Sequence, residues 1–418
     1  MSMSLVTPRR FLLVSATLIG LTGAASGQSA DRADLFERMS DRIEAREQGL
    51  IDLRHDIHRH PELSGSEERT AGLVARHLAD LGFDVRSGVG GHGVVGVLEG
   101  GRPGPAVAFR ADMDAVRSAA EDPVPYRSTV PGVRHICGHD VHTAVGVGLA
   151  EAFAAVRENL PGTVVIVFQP AEETGTGARA MLADGVFARV QPDAIFALHA
   201  APFDVGTVAT VAGGMMPGRA AVAVTVRGEG DVEGAASAVR AALRGVGTVP
   251  THEAGGFAPP GFIHVEVSDA DRQTDGDATV HAQVMTLRAD RARAEAAVRA
   301  ALDALDPADI VLDVDYNAGL MEGVTNDPAL VDLANGGLRR LVPEVPVIPL
   351  PGAVPTFSED FGSFQAEVPG AMYFLGVNAP DTGTVGIPHS PGFVADDGAI
   401  AVGARAMAAA MLERLSVE

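Results

Sequence analysis

Between Asp31 and about residue 216 the chain switches repeatedly between the 3.6-residue period of amphipathic helices and the short apolar runs of buried strands. "EERTAGLVARHLADLG" reads as a helix and "AVAFRADMD" as a buried strand that runs into acidic residues. "HTAVGVGLAEAFAAVREN" is a helix, "TVVIVFQP" a strand, "GARAMLADGV" a helix and "DAIFALHA" a strand. Alternation of this kind predicts an α/β fold, a mixed sheet covered by helices, because each strand and each helix buries one face on the other. Ligands of such sheets gather beyond the carboxyl ends of the strands.

Residues 217–320 follow a different order: strand "AAVAVTVRG", helix "DVEGAASAVRAALRGV", strands "GFIHVEVS" and "ATVHAQVMTLRA", helix "DRARAEAAVRAALDAL" and strand "DIVLDVDY". That is β-α-β-β-α-β, the ferredoxin-like motif of a self-contained small domain. Beyond it the α/β pattern resumes with helix "DPALVDLANGGLRRL", strand "AMYFLGV" and a final Ala-rich helix. The reading is one domain of residues 31–216 and 321–418, with residues 217–320 inserted. The Gly- and Pro-rich tract "GTVPTHEAGGFAPPG" is a loop within the insert.

Residues 1–30 are expected to be an export signal. Arg9 and Arg10 precede an apolar run from Phe11 to Leu21, and small residues follow. The run is too short for a spanning helix, so no stable membrane anchor is expected after cleavage. The expected location is periplasmic or secreted, and the paired arginines suit the twin-arginine route. The formal charge of −22 argues against a nucleic-acid partner. The sequence contains no Lys, which excludes Schiff-base and phosphate-loop lysines. With a single Cys, no intrachain disulfide can form.

That Cys stands in "RHICGHDVHTAVGVG", among His135, His139 and His142. Alternate residues of an extended segment point the same way, so Cys137 and His139 can face one site. Asp112 and Asp114 end one predicted strand, Glu172 and Glu173 follow "VVIVFQP", His199 ends "AIFALH", and His389 precedes the last helix. A thiol, imidazoles and carboxylates thus fall where such a sheet collects its ligands. In a Glu-Glu pair one carboxylate can hold metal while the other moves a proton.

The segments "LRHDIHRHPELSGSEERTA", "RADMDAV", "HICGHDVHTA", "FQPAEETGTGARAMLADG", "LHAAPFDVGTV", "SEDFGSF" and "PHSPGF" stand in an order that resembles one family. It is the two-metal metallopeptidases and amidohydrolases that include aminoacylases, hippurate hydrolases and indole-acetyl-amino-acid hydrolases. The resemblance implies a zinc-peptidase-like catalytic domain whose insert is a lid and homodimer contact. It implies two divalent metal ions per chain, held by Cys137, His139, Glu173, His199 and His389. Glu172 would be the general base, and Asp112, Asp114 and Asp140 would orient ligand imidazoles, although some relatives use the position of Asp112 as a ligand. The mixed Cys/His/Glu set suits zinc and also admits manganese, nickel or cobalt. The implied substrate is an N-acyl amino acid or small peptide, its carboxylate read by Arg288.

The insert departs from the family. Relatives follow its first strand with a Gly-rich loop carrying a histidine that reaches a neighbouring subunit's site, whereas here "AVAVTVRG" runs through "EGD" directly into the helix. None of His252, His264 and His281 matches that histidine, and the asparagine that accompanies Arg288 in relatives is also missing. Two expectations of different class follow: an amidohydrolase with altered recognition, or a metal-retaining pseudoenzyme or carboxylate-binding protein without turnover.

Overall fold

The computed structural model describes residues 20–249, 256–269, 271–272, 276–379 and 386–417. The start and most of the apolar run of the expected export signal lie outside the described residues, as does His252. No helix among the described residues is long and apolar enough to cross a membrane.

The chain opens with α1 (Gly20–Arg59), α2 (Glu68–Asp80), β1 (Asp84–Val89), β2 (Gly93–Glu99) and β3 (Arg102–Asp112). Next come α3 (His139–Ala155), β4 (Pro161–Gln169), α4 (Gly177–Ala183), β5 (Ala194–Asp204) and β6 (Val208–Thr210). A second group follows: β7 (Gly218–Gly228), α5 (Val232–Val246), β8 (His264–Val267), β9 (Ala278–Thr286), α6 (Arg291–Asp303) and β10 (Ile310–Met321). The chain ends with α7 (Pro328–Leu341), β11 (Val347–Pro349), β12 (Gly370–Asn378) and α8 (Gly398–Leu415). Two-residue strands are left unlabelled.

The large sheet runs β1-β2-β4-β3-β5-β12-β6-β11. Its centre, β4-β3-β5-β12, is parallel, while β1–β2, β2–β4 and β12–β6 are antiparallel. The parallel centre is covered on both faces, which is why these strands read as nearly continuous apolar runs. Along β3, Val107, Phe109 and Ala111 enter the core shared with α1, α2, α3, α7 and α8. Ala108 enters the opposite core, with Ala178 and Met181 of α4 and with Phe361 and Phe364. The two-residue period therefore turns Arg110 and Asp112 toward that second side. Helix α3 is buried from His139 to Phe153, so its sequence carries no polar face.

The second sheet, β8-β9-β7-β10, is antiparallel throughout. Val222, Val224 and Val226 of β7 meet Ala236, Val239 and Leu243 of α5 and Ala294, Val298 and Leu302 of α6 in a core of their own. Residues 229–231 alone join β7 to α5, and the Asp231 side chain caps the helix by accepting from the Gly234 N–H. Beyond α5, Ala258 forms an antiparallel bridge with Ala353, which follows β11.

Candidate metal centre

Two turns bring the central strands' ends together with the start of α3. Gly138 precedes the helix with φ of +94°, and a Cβ there would lie 2.8 Å from that of Ala200. Only glycine therefore lets the Cys137–His139 turn approach β5 this closely. The second turn follows β4. Ala171 sits at φ +53°, and its N–H donates to the buried carboxylate of Glu67 at 2.8 Å. That turn aims Glu172 and Glu173 at Cys137 and His139. His389 is the third member, itself at φ +62°, with its N–H bonded to the carbonyl of Ile136. Left-handed backbone at residues other than glycine costs about 1 kcal/mol or more and gathers at functional sites.

His199 lies inside β5, not at its end as the sequence suggests. The pairing of β5 with β3 stops at Ala197, opposite Arg110, while pairing with β12 continues. Past that point one flank of β5 is free of β3, and His199 takes that position.

The imidazole partners fix which nitrogens are free. His139 Nδ1 donates to Asp114 Oδ1 at 3.2 Å. Its Nε2 is buried without a hydrogen-bond partner, 3.7 Å from Asp112 Oδ2 and 3.8 Å from both Glu172 Oε2 and Glu173 Oε1. His199 Nδ1 donates to the Ala200 carbonyl at 2.7 Å, which leaves its Nε2 lone pair facing Cys137 Sγ at 3.4 Å. Glu173 Oε1, also without a hydrogen-bond partner, stands 3.4 Å from His389 Nε2. Both buried imidazoles, His139 and His199, thus spend Nδ1–H on the protein and present Nε2, the arrangement that suits metal ligation. His142 differs. Its Nε2 accepts the Ala200 N–H at 2.8 Å and its Nδ1 donates to Asp112 at 2.6 Å, so it is fully used in bracing the strand ends.

The local field calls for a cation. Burial opposes protonation of His139, yet Asp112 and Asp114 outweigh it and raise its pKa to about 10. Burial and the carboxylates of Glu173 and Glu172 push the Cys137 thiol up, so a thiolate there needs a positive partner. Burial, with help from His142, lowers His199 to about 3, which keeps it neutral and able to ligate. Burial opposes the charge on Asp114, but hydrogen bonds from His139 and Ser64 hold it below the usual carboxylate range. Glu172 is pushed well above its usual range by burial and then by Glu359. Partnerless Nε2 and Oε1 atoms, a thiol and excess negative charge fit divalent metal at Cys137, His139, Glu173, His199 and His389.

Behind these residues lie groups that the sequence pattern did not single out. Arg110, fully buried, bonds Asp112 at 2.7 Å, Glu359 at 2.8 Å, Asp360 at 3.2 Å and Gln169 at 2.7 Å. Asp140 does not touch a ligand imidazole. It pairs with Arg54 at 3.0 Å and His58 at 2.9 Å beneath the start of α3. An arginine inside the apolar run "AVAFRADMD" was the available signal for the first network; Arg54 and His58 of the second stand in the segment "LRHDIHRHPELSGSEERTA", to which no role was attached.

A cavity of about 320 Å³ opens onto Cys137, Glu172, Glu173, His199 and His389, with Phe203, Phe257, Phe357 and Phe374 among its walls. Arg288 is not part of its lining. The Arg288 side chain is held by Glu322 at 3.3 Å and by the Gly362 carbonyl at 2.8 Å. His264 is buried on β8 beside Glu266 and His281 is exposed near Asp271; neither lines the cavity.

The sequence pattern that describes Peptidase family M20/M25/M40 matches residues 108–413. Thermostable carboxypeptidase 2 of Saccharolobus solfataricus is 30% identical over 408 residues, covering 90% of this chain and 98% of that protein. Hippurate hydrolase of Campylobacter jejuni is 42% identical over 151 residues, which span 36% of this chain and 39% of the enzyme. A solved dinuclear metal-binding M20 peptidase of Bacillus subtilis superposes with a TM-score of 0.75 at 26% identity, covering 89% of this chain and 99% of that one.

Proposed function

The chain belongs to Peptidase family M20/M25/M40, a metal-dependent hydrolase of carbon–nitrogen bonds, and from that premise we propose that it cleaves the amide of an N-acyl amino acid or small peptide. Cys137, His139, Glu173, His199 and His389 hold two divalent ions, with zinc, manganese, nickel and cobalt all compatible with the donor set. When bound, such ions supply Lewis acidity, polarising a carbonyl and making water a stronger acid. Asp114 keeps the His139 lone pair aimed inward by accepting at Nδ1. Glu172 takes a proton at its carboxylate from the water that attacks the amide carbon, and returns it to the departing nitrogen. Burial of Glu172 beside Glu359 favours its proton-bearing form, which suits the second half of that transfer. The observation that carries the reading is the pair of partnerless ligand atoms, His139 Nε2 and Glu173 Oε1, 3.8 Å apart in a buried site.

The export-like N-terminus supports a periplasmic or secreted enzyme, and the insert of residues 217–320 is the candidate lid and dimer contact. The three-residue join between β7 and α5 favours a second reading, a metal-retaining protein without turnover. The test is metal analysis of wild type, Cys137→Ser and His389→Ala, together with hydrolysis of N-acyl amino acids and dipeptides under each metal. Metal loss in both variants and metal-dependent hydrolysis by wild type support the enzyme. Full metal with no amide turned over supports the second reading, and wild-type metal content in both variants refutes the ligand set.

A further inference from the structure

The cavity needs a cationic group if it is to read a carboxylate, and Arg288 is committed elsewhere. Glu322, the acid nearest the end of β10, is shared by Arg288 at 3.3 Å and Arg291 at 2.9 Å. Arg219, the second residue of β7, is left without an acid. It is the one arginine among the described residues lining the cavity, alongside Phe203, Phe257, Phe357 and Phe374. In the strand register it lies between Met285 and Met321, neither of which can neutralise it. Its Nε is buried with no hydrogen-bond partner, and its side chain makes no ion pair among the described residues. Arg219 is half-buried where it lines the cavity, and its Nε has given up water without gaining a partner from the protein. An anionic ligand would complete it, and a planar carboxylate matches its fork.

We propose that Arg219 is the specificity residue that binds the carboxylate of the leaving amino acid, with the phenylalanine walls accepting the acyl group. The proposal rests on the amidohydrolase reading and replaces Arg288 as the carboxylate reader. The contact is made in ground and transition states alike, so it acts on KM more than on kcat.

The test compares benzoylglycine with benzoylglycinamide in metal-loaded wild type, Arg219→Gln, Arg219→Lys and Arg288→Gln, with thermal melts and metal content confirming folding. Arg219→Gln should raise KM for the acid roughly 10–100-fold, the worth of a charge-assisted pair, and leave the amide unaffected. Arg219→Lys should recover part of the loss, and Arg288→Gln should not discriminate acid from amide. Equal losses on acid and amide, a fall confined to kcat, or discrimination by Arg288→Gln would each overturn the assignment. Calorimetric titration of benzoylglycine separates the two readings. If wild type hydrolyses nothing yet binds benzoylglycine and Arg219→Gln does not, the hydrolase reading fails while Arg219 stands. Absence of binding by wild type, or equal binding by both proteins, overturns the role of Arg219.

Discussion

Replacing Asp114 with Asn keeps the size of a fully buried side chain while changing what its two outer atoms can do. Oδ1 accepts from His139 Nδ1 at 3.2 Å; Oδ2 accepts from the Ser64 hydroxyl at 2.6 Å and from the Glu173 N–H at 3.0 Å. An amide oriented to keep His139 places its NH2 against the Glu173 N–H, donor facing donor. Flipped, it places the NH2 against His139 Nδ1–H. Ser64 can rotate its hydroxyl in either case, but one buried N–H loses its acceptor, at a cost of about 1–3 kcal/mol. The residues disturbed are both proposed ligands, so metal affinity should fall about 10- to 100-fold, equivalent to roughly 1.4–2.7 kcal/mol. Competition against a chromophoric chelator measures the affinity, and urea unfolding of the metal-free protein measures the lost hydrogen bond. Unchanged affinity together with unchanged unfolding would refute the claim that Asp114 orients His139 and Glu173.

Two further outcomes follow from the buried networks. Arg110→Met leaves Asp112, Glu359 and Asp360 without their shared cation, and should destabilise the chelated protein by about 3–5 kcal/mol in denaturant unfolding; a loss well below that range would mean the cluster is not held by Arg110. His58 is buried between Asp122 at 3.0 Å and Asp140 at 2.9 Å; burial lowers its pKa, but the two carboxylates prevail and raise it to about 9. Because the folded value lies above an unfolded value of about 6.5, its stabilisation is complete below about pH 6.5 and disappears as pH rises through about 9. Unfolding free energies of wild type and His58→Gln should therefore converge by up to about 3 kcal/mol between those limits, and a difference independent of pH would contradict the pairing.

The central strands were legible because a parallel sheet covered on both faces needs long apolar runs, and "TVVIVFQP" and "DAIFALHA" are such runs. The acids after β4 and the imidazole within β5 marked the candidate site, because a buried polar side chain is costly without a ligand or a partner. The antiparallel hairpin β1–β2 was not read from "DVRSGVGGHGVVGVLE", whose glycines dilute both periods. Helix α1, which carries Arg54 and His58 to Asp140, was also missed; its outward face is charged and its partners are 82 or more residues away in sequence. Arg110 and Glu359 are 249 residues apart, so the charge balance behind Glu172 exists only once β3 and the segment before β12 are folded together. Arg288, expected at the substrate carboxylate, is held by Glu322, while Arg219, which the sequence pattern did not single out, lines the cavity.

In the proposed mechanism Glu172 moves the proton while Glu173 and its neighbours hold metal. Turnover of metal-replete Glu172→Gln on a substrate that wild type hydrolyses tests it most directly. The expected result is unchanged metal content and a kcat lower by about 10²–10⁴-fold. Wild-type turnover at equal metal content would contradict it.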